Sequence, residues 1–147
     1  MYLAAILGTQ TVNTCPKSQP IPLVAIVDDD DSLRSSTRML LSSFGFRTDA
    51  FASARDLLSC PWLGDISCLI LDVMMPEVNG LDLQRQLLRM HPGLPIIFIT
   101  AHAREHEERQ AMNSGAIAVL RKPVAEGILL GTLRSVLTGG AWKGAQA

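Results

Sequence analysis

Five residues that could do chemistry stand at the ends of short apolar runs, and they are Asp28, Asp29, Asp72, Thr100 and Lys122. Asp72 is the most informative, because it interrupts an apolar stretch and has no cluster of hydrogen-bond donors adjacent to it in the sequence. Burying a carboxylate in such surroundings costs free energy, and a functional residue is the usual reason for accepting that cost. Its position therefore favours a functional role over a structural one.

The three aspartates predict a site for a hard divalent cation. Carboxylates brought close together repel one another, which raises their pKa values unless a cation neutralises them. Oxygen ligands without His or Cys indicate a hard cation, and Mg²⁺, which keeps waters and often pairs with carboxylates and phosphate oxygens, fits better than Ca²⁺ or Zn²⁺. At such a site Asp72 could attack a phosphoryl group, while Lys122 supplies a fixed positive charge and Thr100 a hydroxyl donor.

Each of these residues also has a structural explanation. Acidic residues favour helix N-termini, threonine ends many strands, and a lysine before Pro123 can be an ordinary loop cation. The run of residues 28–31 must be divided, because strand geometry can bring only its first two aspartates toward the site. Asp30 and Asp31 are predicted to cap the helix that follows.

The elements that must position these residues alternate between apolar runs and segments of helical period. Five successive pairs of an apolar run and a helical segment predict five βα units around a parallel sheet. The predicted strands cover residues 23–27, 46–51 (near an edge), 68–71, 95–99 and 117–120. The predicted helices run from residues 30–31 to a stop at Gly45, from an N-cap at Ser53 to residue 58, over 80–90, within 104–113, and over 126–137. Ligands of open parallel sheets bind outside the carboxyl ends of the strands, where all five polar residues fall.

Composition excludes several classes of protein. The 147 residues suffice for one domain, and 13 Lys and Arg against 14 Asp and Glu give a net charge of -1. This balance argues against direct nucleic-acid binding by the chain. No segment approaches the ~20 apolar residues of a membrane span. We therefore expect a soluble protein without a membrane anchor.

The cysteines and the first residues indicate a cytoplasmic location. Cys15, Cys60 and Cys68 lack metal-ligand spacing and are interpreted as reduced thiols, with Cys68 a small buried hydrophobe. The apolar residues 1–8 lack the basic flank and cleavage site of a secretion signal. We predict an arm or leader over residues 1–21, the folded domain over 22–138, and a tail or linker start over 139–147.

Four separated segments, in this order, carry a resemblance to a known family. They are Val24-Ala25-Ile26-Val27-Asp28-Asp29-Asp30, Leu71-Asp72-Val73-Met74-Met75-Pro76 with Asn79-Gly80, Ile99-Thr100-Ala101, and Lys122-Pro123. From about residue 23 to 137 the sequence resembles the receiver domain of two-component response regulators. The D-x-x-M-P-x-x-x-G spacing is similar to the FixJ-type subgroup, which usually carries a DNA-binding output domain downstream.

The resemblance implies a role for each site residue. Asp72 would accept a phosphoryl group from a sensor histidine kinase or a phosphotransfer protein. Asp29 would bind Mg²⁺ directly, Asp28 mainly through water, and Met74 through its backbone carbonyl. Asp72 would be the remaining metal ligand.

The other implied roles concern the switch and the fold. Thr100 would follow the phosphoryl group on activation, and Lys122 would pair with Asp72 or its phosphate. The signal would leave through helix four and strand five, with a homodimer as a possible phosphorylated state. Self-catalysed phosphorylation and dephosphorylation would be slow at most. The implied fold is the flavodoxin-like, doubly wound sheet of strand order 2-1-3-4-5.

One departure from the family pattern and two alternatives accompany this interpretation. Val119 stands where the family often has an aromatic switch residue, which puts the usual coupling in doubt, and Met74 and His102 occupy positions that tune phosphate lifetime. A phosphatase with an Asp nucleophile is one alternative, but it needs a carboxylate two positions later, where Met74 stands. A pseudo-receiver that only binds a partner is the other.

Overall fold

The computed structural model describes residues 21–75, 77–102 and 104–137, in which short strands alternate with helices. The strands are β1 (Leu23–Val27), β2 (Arg47–Phe51), β3 (Cys68–Asp72), β4 (Ile96–Thr100) and β5 (Ala118–Arg121). The helices are α1 (Asp31–Ser43), α2 (Ala54–Leu58), α3 (Gly80–Met90), α4 (Glu105–Asn113) and α5 (Glu126–Leu137). A single 3-10 turn, Leu63–Asp65, lies between α2 and β3.

All described strand pairs are parallel, and the strand order is β2-β1-β3-β4-β5. The predicted order 2-1-3-4-5 is therefore confirmed, as is the edge position of β2. The chain moves outward in one direction from β1 to β2 and in the other from β3 to β5. The carboxyl ends of β1 and β3 consequently meet at the switch point of the sheet, which is where a ligand site is expected.

Side chains alternate between the two faces of the sheet along each strand, and helices cover both faces. One face packs against α1 and α5 and the other against α2, α3 and α4. Strands β1, β3 and β4 are buried at every position, as expected for a parallel sheet covered on both sides. Burial also raises the pKa of the Cys68 thiol to about 12, consistent with its predicted role as an unreactive hydrophobe.

Side-chain caps define the helix starts. Asp30 accepts a hydrogen bond from the backbone N–H of Leu33 and caps α1, and Ser53 does the same for α2 through Asp56. Both caps were predicted from the sequence. Asp31 is instead the first helical residue.

The C-terminal ends of three strands lie one residue beyond the prediction, and β2, β4 and β5 also begin one residue later than predicted, at Arg47, Ile96 and Ala118. Strand β3 includes Asp72, β4 covers Ile96–Thr100 and β5 covers Ala118–Arg121. The strand ladder continues through these polar residues, since Asp72 pairs with Ile99 and Thr100 with Arg121. Apolar character alone therefore ended the predicted strands one residue too early.

Residues 1–20 and 138–147, which hold most of the predicted arm and the whole predicted tail, lie outside the described residues. Cys15 is among them. Within the described residues, no helix has both the length and the apolar character needed to cross a membrane.

Candidate functional site

Two neighbouring strands bring the three carboxylates together. Val27 pairs in register with Leu71, so Asp28 and Asp72 emerge side by side at the carboxyl ends of β1 and β3. One carboxylate oxygen from each of Asp28, Asp29 and Asp72 lies within 4.8 Å of the others. Asp28 and Asp72 are buried, whereas Asp29 is exposed and opens the cluster to solvent.

Lys122 ties two of these carboxylates together. Its Nζ donates hydrogen bonds to Oδ2 of Asp72 at 3.0 Å and to Oδ2 of Asp28 at 3.2 Å. The bond to Asp72 is the predicted one, and the bond to Asp28 was not foreseen. The backbone N–H of Lys122 donates to the carbonyl of Thr100 at 2.9 Å, which fixes the lysine beside the end of β4.

Thr100 is buried at the same rim, with 1% of its surface exposed. Its hydroxyl oxygen accepts a hydrogen bond from the backbone N–H of His102 at 3.2 Å. This contact leads directly into the connection between β4 and α4. His102 itself is exposed, in agreement with the predicted solvated loop position.

The carboxylate of Asp72 has a second donor that the sequence analysis missed. The backbone N–H of Met74 donates to Oδ1 at 3.0 Å. This backbone group was not considered in the sequence analysis, which found no cluster of donors beside Asp72. An aspartate can accept from the backbone two residues further on whenever the chain turns there, so residue types alone do not reveal this bond.

The loop after β3 is held close to Asp72 by Gly80. The backbone N–H of Gly80 donates to the carbonyl of Val73 at 2.9 Å, and Met74 pairs with Asn79 in an isolated antiparallel bridge. A Cβ at Gly80 would lie 2.7 Å from the carbonyl oxygen of Asp72. Only glycine permits this approach without displacing backbone, and the approach positions the loop that contains Met74.

Burial and the neighbouring charges shift the pKa values of Asp72 and Lys122. Burial raises the pKa of Asp72 above its ordinary value, and the hydrogen bonds from Lys122 and Met74 offset only part of this effect, while the charge of Asp28 adds to it. For Lys122, burial by itself lowers the pKa, but the two aspartates outweigh it and hold the pKa above the usual lysine value. Lys122 is therefore protonated at neutral pH.

The charges of the described residues leave room for a divalent cation. Three carboxylates face one ammonium group, which leaves two negative charges uncompensated among the side chains of the cluster. All of the candidate ligands are oxygen atoms, and one carboxylate is accessible from solvent. The acidic cluster thus has the donor chemistry and the charge for a hard divalent metal ion.

Val119 and Met74 are two further positions that the sequence analysis singled out. The half-buried Val119, the residue at the position that is often aromatic in the resembled family, pairs with Phe98 and packs against the core beneath α2, α3 and α4. Met74 is 52% exposed, and its side chain offers no acid to the site.

Comparisons with known proteins give a consistent result. Residues 24–134 match the family model described as the response regulator receiver domain. The response regulator protein TmoT of Ectopseudomonas mendocina is 40% identical over 115 residues, which cover 78% of this chain and 52% of that protein. Nodulation protein W of Bradyrhizobium diazoefficiens is 42% identical over 108 residues, or 74% of this chain and 48% of that protein. The chain spans about half the length of the curated relatives it matches.

Solved structures agree with these relatives. The response regulator StyR is 40% identical with a TM-score of 0.74, and the alignment covers 81% of this chain and 60% of that one. The chemotaxis protein CheY4 of Vibrio cholerae is 26% identical with a TM-score of 0.74, covering 80% of this chain and all of that one. Family model, relatives and fold together show that this chain belongs to the response regulator receiver domain family.

Proposed function

We propose that this chain is a phosphoacceptor switch in which Asp72 takes a phosphoryl group from a sensor histidine kinase or a phosphotransfer protein in the presence of Mg²⁺. Receiver domains are signalling domains that interact with histidine kinases, and they are not enzymes in the ordinary sense. One observation supports the proposal above the others. The buried Asp72 carboxylate lies 3.0 Å from the Lys122 ammonium, inside a cluster of three carboxylates that meet within 4.8 Å.

The chemistry of the proposed step is a transfer between two residues. A carboxylate oxygen of Asp72 forms a bond to phosphorus while the bond between phosphorus and the phosphohistidine nitrogen breaks, and the imidazole keeps the electron pair. Each Asp72 oxygen accepts one hydrogen bond, from Met74 or Lys122, and retains a second lone pair for attack. Lys122 is placed to pair with the negative charge of the transferred group.

Asp28, Asp29, Asp72 and the backbone carbonyl of Met74 are the proposed Mg²⁺ ligands. When bound, the ion screens the negative charge of the incoming phosphoryl group. Asp29 is the exposed member, so it offers the first contact to an ion arriving from solvent. Self-catalysed phosphorylation and dephosphorylation are expected to be slow at most.

The readout proposed from the sequence is a shift of Thr100 toward the phosphoryl group that changes the surface of α4 and β5. Val119 is smaller than an aromatic side chain, so α4 becomes the main moving element in this proposal. Partner contacts at this surface could include a second copy of the phosphorylated chain. We propose a cytoplasmic location, where the kinase partner would act.

The segment that produces the response to phosphorylation is proposed to lie outside the receiver domain, which is the part that this chain shares with its relatives. Relatives include the transcriptional regulatory protein TdiR of Thauera aromatica, which this chain matches over 50% of that protein's length. The net charge of -1 argues against direct DNA binding by the receiver domain itself. A DNA-binding segment following the domain, as in the FixJ-type subgroup, is the proposed output.

A phosphorylation assay tests the central proposal. The chain is incubated with acetyl phosphate and Mg²⁺, and the intact mass is measured. The unmodified chain should gain one phosphoryl group, with acetate as the leaving group. Asp72→Asn should gain none, whereas the control Asp65→Asn, an exposed aspartate before β3, should react like the unmodified chain. An equal mass gain in Asp72→Asn would refute the assignment.

A further inference from the structure

We propose that Gln84 is a positioning residue that fixes the C-terminal end of α4, so that phosphorylation displaces α4 mainly at its N-terminal end. The inference rests on the proposed phosphoacceptor function. It adds a residue to the switch that lies outside the acidic cluster, on a different helix from the one that moves. It also specifies which end of α4 carries the signal.

Gln84 is a completely buried polar residue on the apolar face of α3. Its exposed fraction is 0%, and it is flanked one helical turn away by Leu81 and Leu87, both of them core residues. Its Nε2 donates a hydrogen bond to the backbone carbonyl of Ala111 at 3.0 Å. This bond crosses from α3 to α4 and joins the two helices inside the protein.

The bond is made to the end of α4 and acts there as a cap. Ala111 lies in the last turn, where carbonyl groups lack partners within the helix. The Ala111 carbonyl accepts from Gln84 and also from the backbone N–H of Ala116, at 3.0 Å in each case. The C-terminal end of α4 is therefore held both by its own chain and by α3.

The amide oxygen of Gln84 indicates that packing alone does not account for a glutamine at this position. Oε1 of Gln84 is the one buried side-chain polar atom in the described residues without a hydrogen-bond partner. Turning the amide over would set this oxygen against the Ala111 carbonyl, so the donor orientation is fixed by its surroundings. A Leu or Met would fill the position without burying an unsatisfied acceptor. The bond to Ala111 is thus the feature that a glutamine adds.

The N-terminal half of α4 is held much less firmly. Within α4, all of whose residues the structure describes, only Ala111 is buried. The N-cap residue Arg104 makes no capping hydrogen bond with its side chain to any described residue. Glu108 accepts from Nη2 and Nε of Arg121 on β5 at 2.8 and 3.2 Å, and Glu105 pairs with Arg109 at 3.1 Å; both arginine side chains are largely exposed. Exposed ion pairs of this kind contribute little to stability and are easily exchanged.

This asymmetry predicts how the helix responds. The N-terminal end follows β4 and Thr100 along the chain, so a movement of Thr100 reaches that end first. The C-terminal end stays in place because Gln84 holds it. Without the Gln84 bond, the displacement should extend along the whole of α4.

Amide hydrogen exchange, followed by NMR, measures the two ends separately. The backbone N–H groups of Glu108 and Ser114 report on the two halves of α4, since each is bonded within the helix, to Arg104 and Gln110 respectively. In the unmodified chain, phosphorylation by excess acetyl phosphate and Mg²⁺ should change exchange at Glu108 and leave Ser114 within twofold. In phosphorylated Gln84→Met, exchange at Ser114 should be roughly fivefold or more faster than in the phosphorylated unmodified chain, which corresponds to the loss of one hydrogen bond.

Gln86→Met is the matched control, because Gln86 lies on the exposed side of the same helix. It should behave like the unmodified chain. Gln84→Leu serves as a second variant, and both Gln84 variants should melt within roughly 4 °C of the unmodified chain. Exchange that changes equally at both ends of α4 in the unmodified chain, or identical patterns in Gln84→Met and Gln86→Met, would overturn the inference.

The intact mass of the same samples separates the two proposals. A protein that gains its phosphoryl group but shows the wrong exchange pattern refutes the role of Gln84 alone. An unchanged mass under these conditions refutes the phosphoacceptor function and, with it, the inference that depends on it.

Discussion

The substitution Gly80→Ala should damage the site through the backbone, without changing any group that does chemistry. A Cβ at this position would lie 2.7 Å from the carbonyl oxygen of Asp72 and 2.8 Å from the Cα of Val73. Both distances are well inside the 3.4 Å at which ordinary contact begins, and both involve backbone atoms that cannot rotate away. The loop between β3 and α3 must therefore move.

The size of the effect follows from two opposing contributions. Alanine in place of glycine within a helix stabilises by up to about 1 kcal/mol, because glycine loses more backbone freedom on folding. Forcing extra volume into a packed site destabilises by about 1–3 kcal/mol, and contact with backbone places Gly80→Ala at the upper end of this range. The net loss should be about 2 kcal/mol. In a domain of this size that lowers the melting temperature by about 8 °C.

Gly131→Ala is the matched control, because Gly131 is an exposed residue in the middle of α5 with no described atom within 4 Å of an added Cβ. It should stabilise by roughly 0.5–1 kcal/mol through helix propensity alone. Thermal unfolding of both variants, with and without Mg²⁺, provides the comparison. Gly80→Ala should also need roughly tenfold more Mg²⁺ for the same thermal shift, because the displaced loop contains the Met74 carbonyl. A Gly80→Ala protein as stable as Gly131→Ala would refute the reasoning.

Four further outcomes are expected. Asp72→Asn should raise the melting temperature of the metal-free protein by a few degrees, because it removes a buried charge while Lys122 keeps Asp28 as a partner; a clear decrease would contradict this. Since burial raises the pKa of Asp72, the folded protein binds that proton more tightly, so the free energy of unfolding should fall as pH rises above about 3.9 and level off beyond the folded pKa. Urea titrations should show this fall in the unmodified chain and its absence in Asp72→Asn. Mg²⁺ at ten times its Kd should stabilise the protein by about 1.4 kcal/mol and Asp29→Asn much less, and equal shifts would exclude Asp29 as a ligand. Gln84→Met should unfold within about 1 kcal/mol of the unmodified chain, because the lost hydrogen bond is offset by removal of the unsatisfied Oε1; a much larger loss by urea unfolding would mean that Gln84 is mainly structural.

The strands and helices could be predicted where hydrophobic period and caps agree. The bounds predicted for β1, α3 and α5 are those of the structure. The apolar run of β1 ends at Asp28, and turn-forming residues follow the two helical patterns, at 91–93 and at 138–140. Where a strand continues into polar residues, a prediction from the hydrophobic pattern alone ends the strand too early. Asp72 and Thr100 belong to strands because their backbones pair with neighbouring strands, and this pairing depends on residues far away in the sequence.

The members of the site were predictable because parallel strands place their carboxyl ends at one edge of the sheet. The contacts among these site residues were less predictable from the sequence. The bond from Lys122 to Asp28 joins residues 94 positions apart, and it depends on how the chain leaves β5. Gln84 gave a signal that could have been found, since a glutamine three residues from both Leu81 and Leu87 interrupts the apolar stripe of α3. What it binds on α4 required the packed structure.

The hydrogen bonds around Thr100 suggest why movement would begin at the N-terminal end of α4. In the structure, the Thr100 hydroxyl accepts from the backbone N–H of His102, and the Thr100 carbonyl accepts from the backbone N–H of Lys122. A phosphoryl group on Asp72 would draw both the Lys122 ammonium and the Thr100 hydroxyl toward its oxygens. The carbonyl bond between Thr100 and Lys122 can persist during this change because it involves backbone groups alone. The hydroxyl bond to His102 would break if the Thr100 side chain turned toward the phosphoryl group and carried its oxygen away from that N–H. The released His102 stands at the entrance to α4, at the end where that helix has little to hold it.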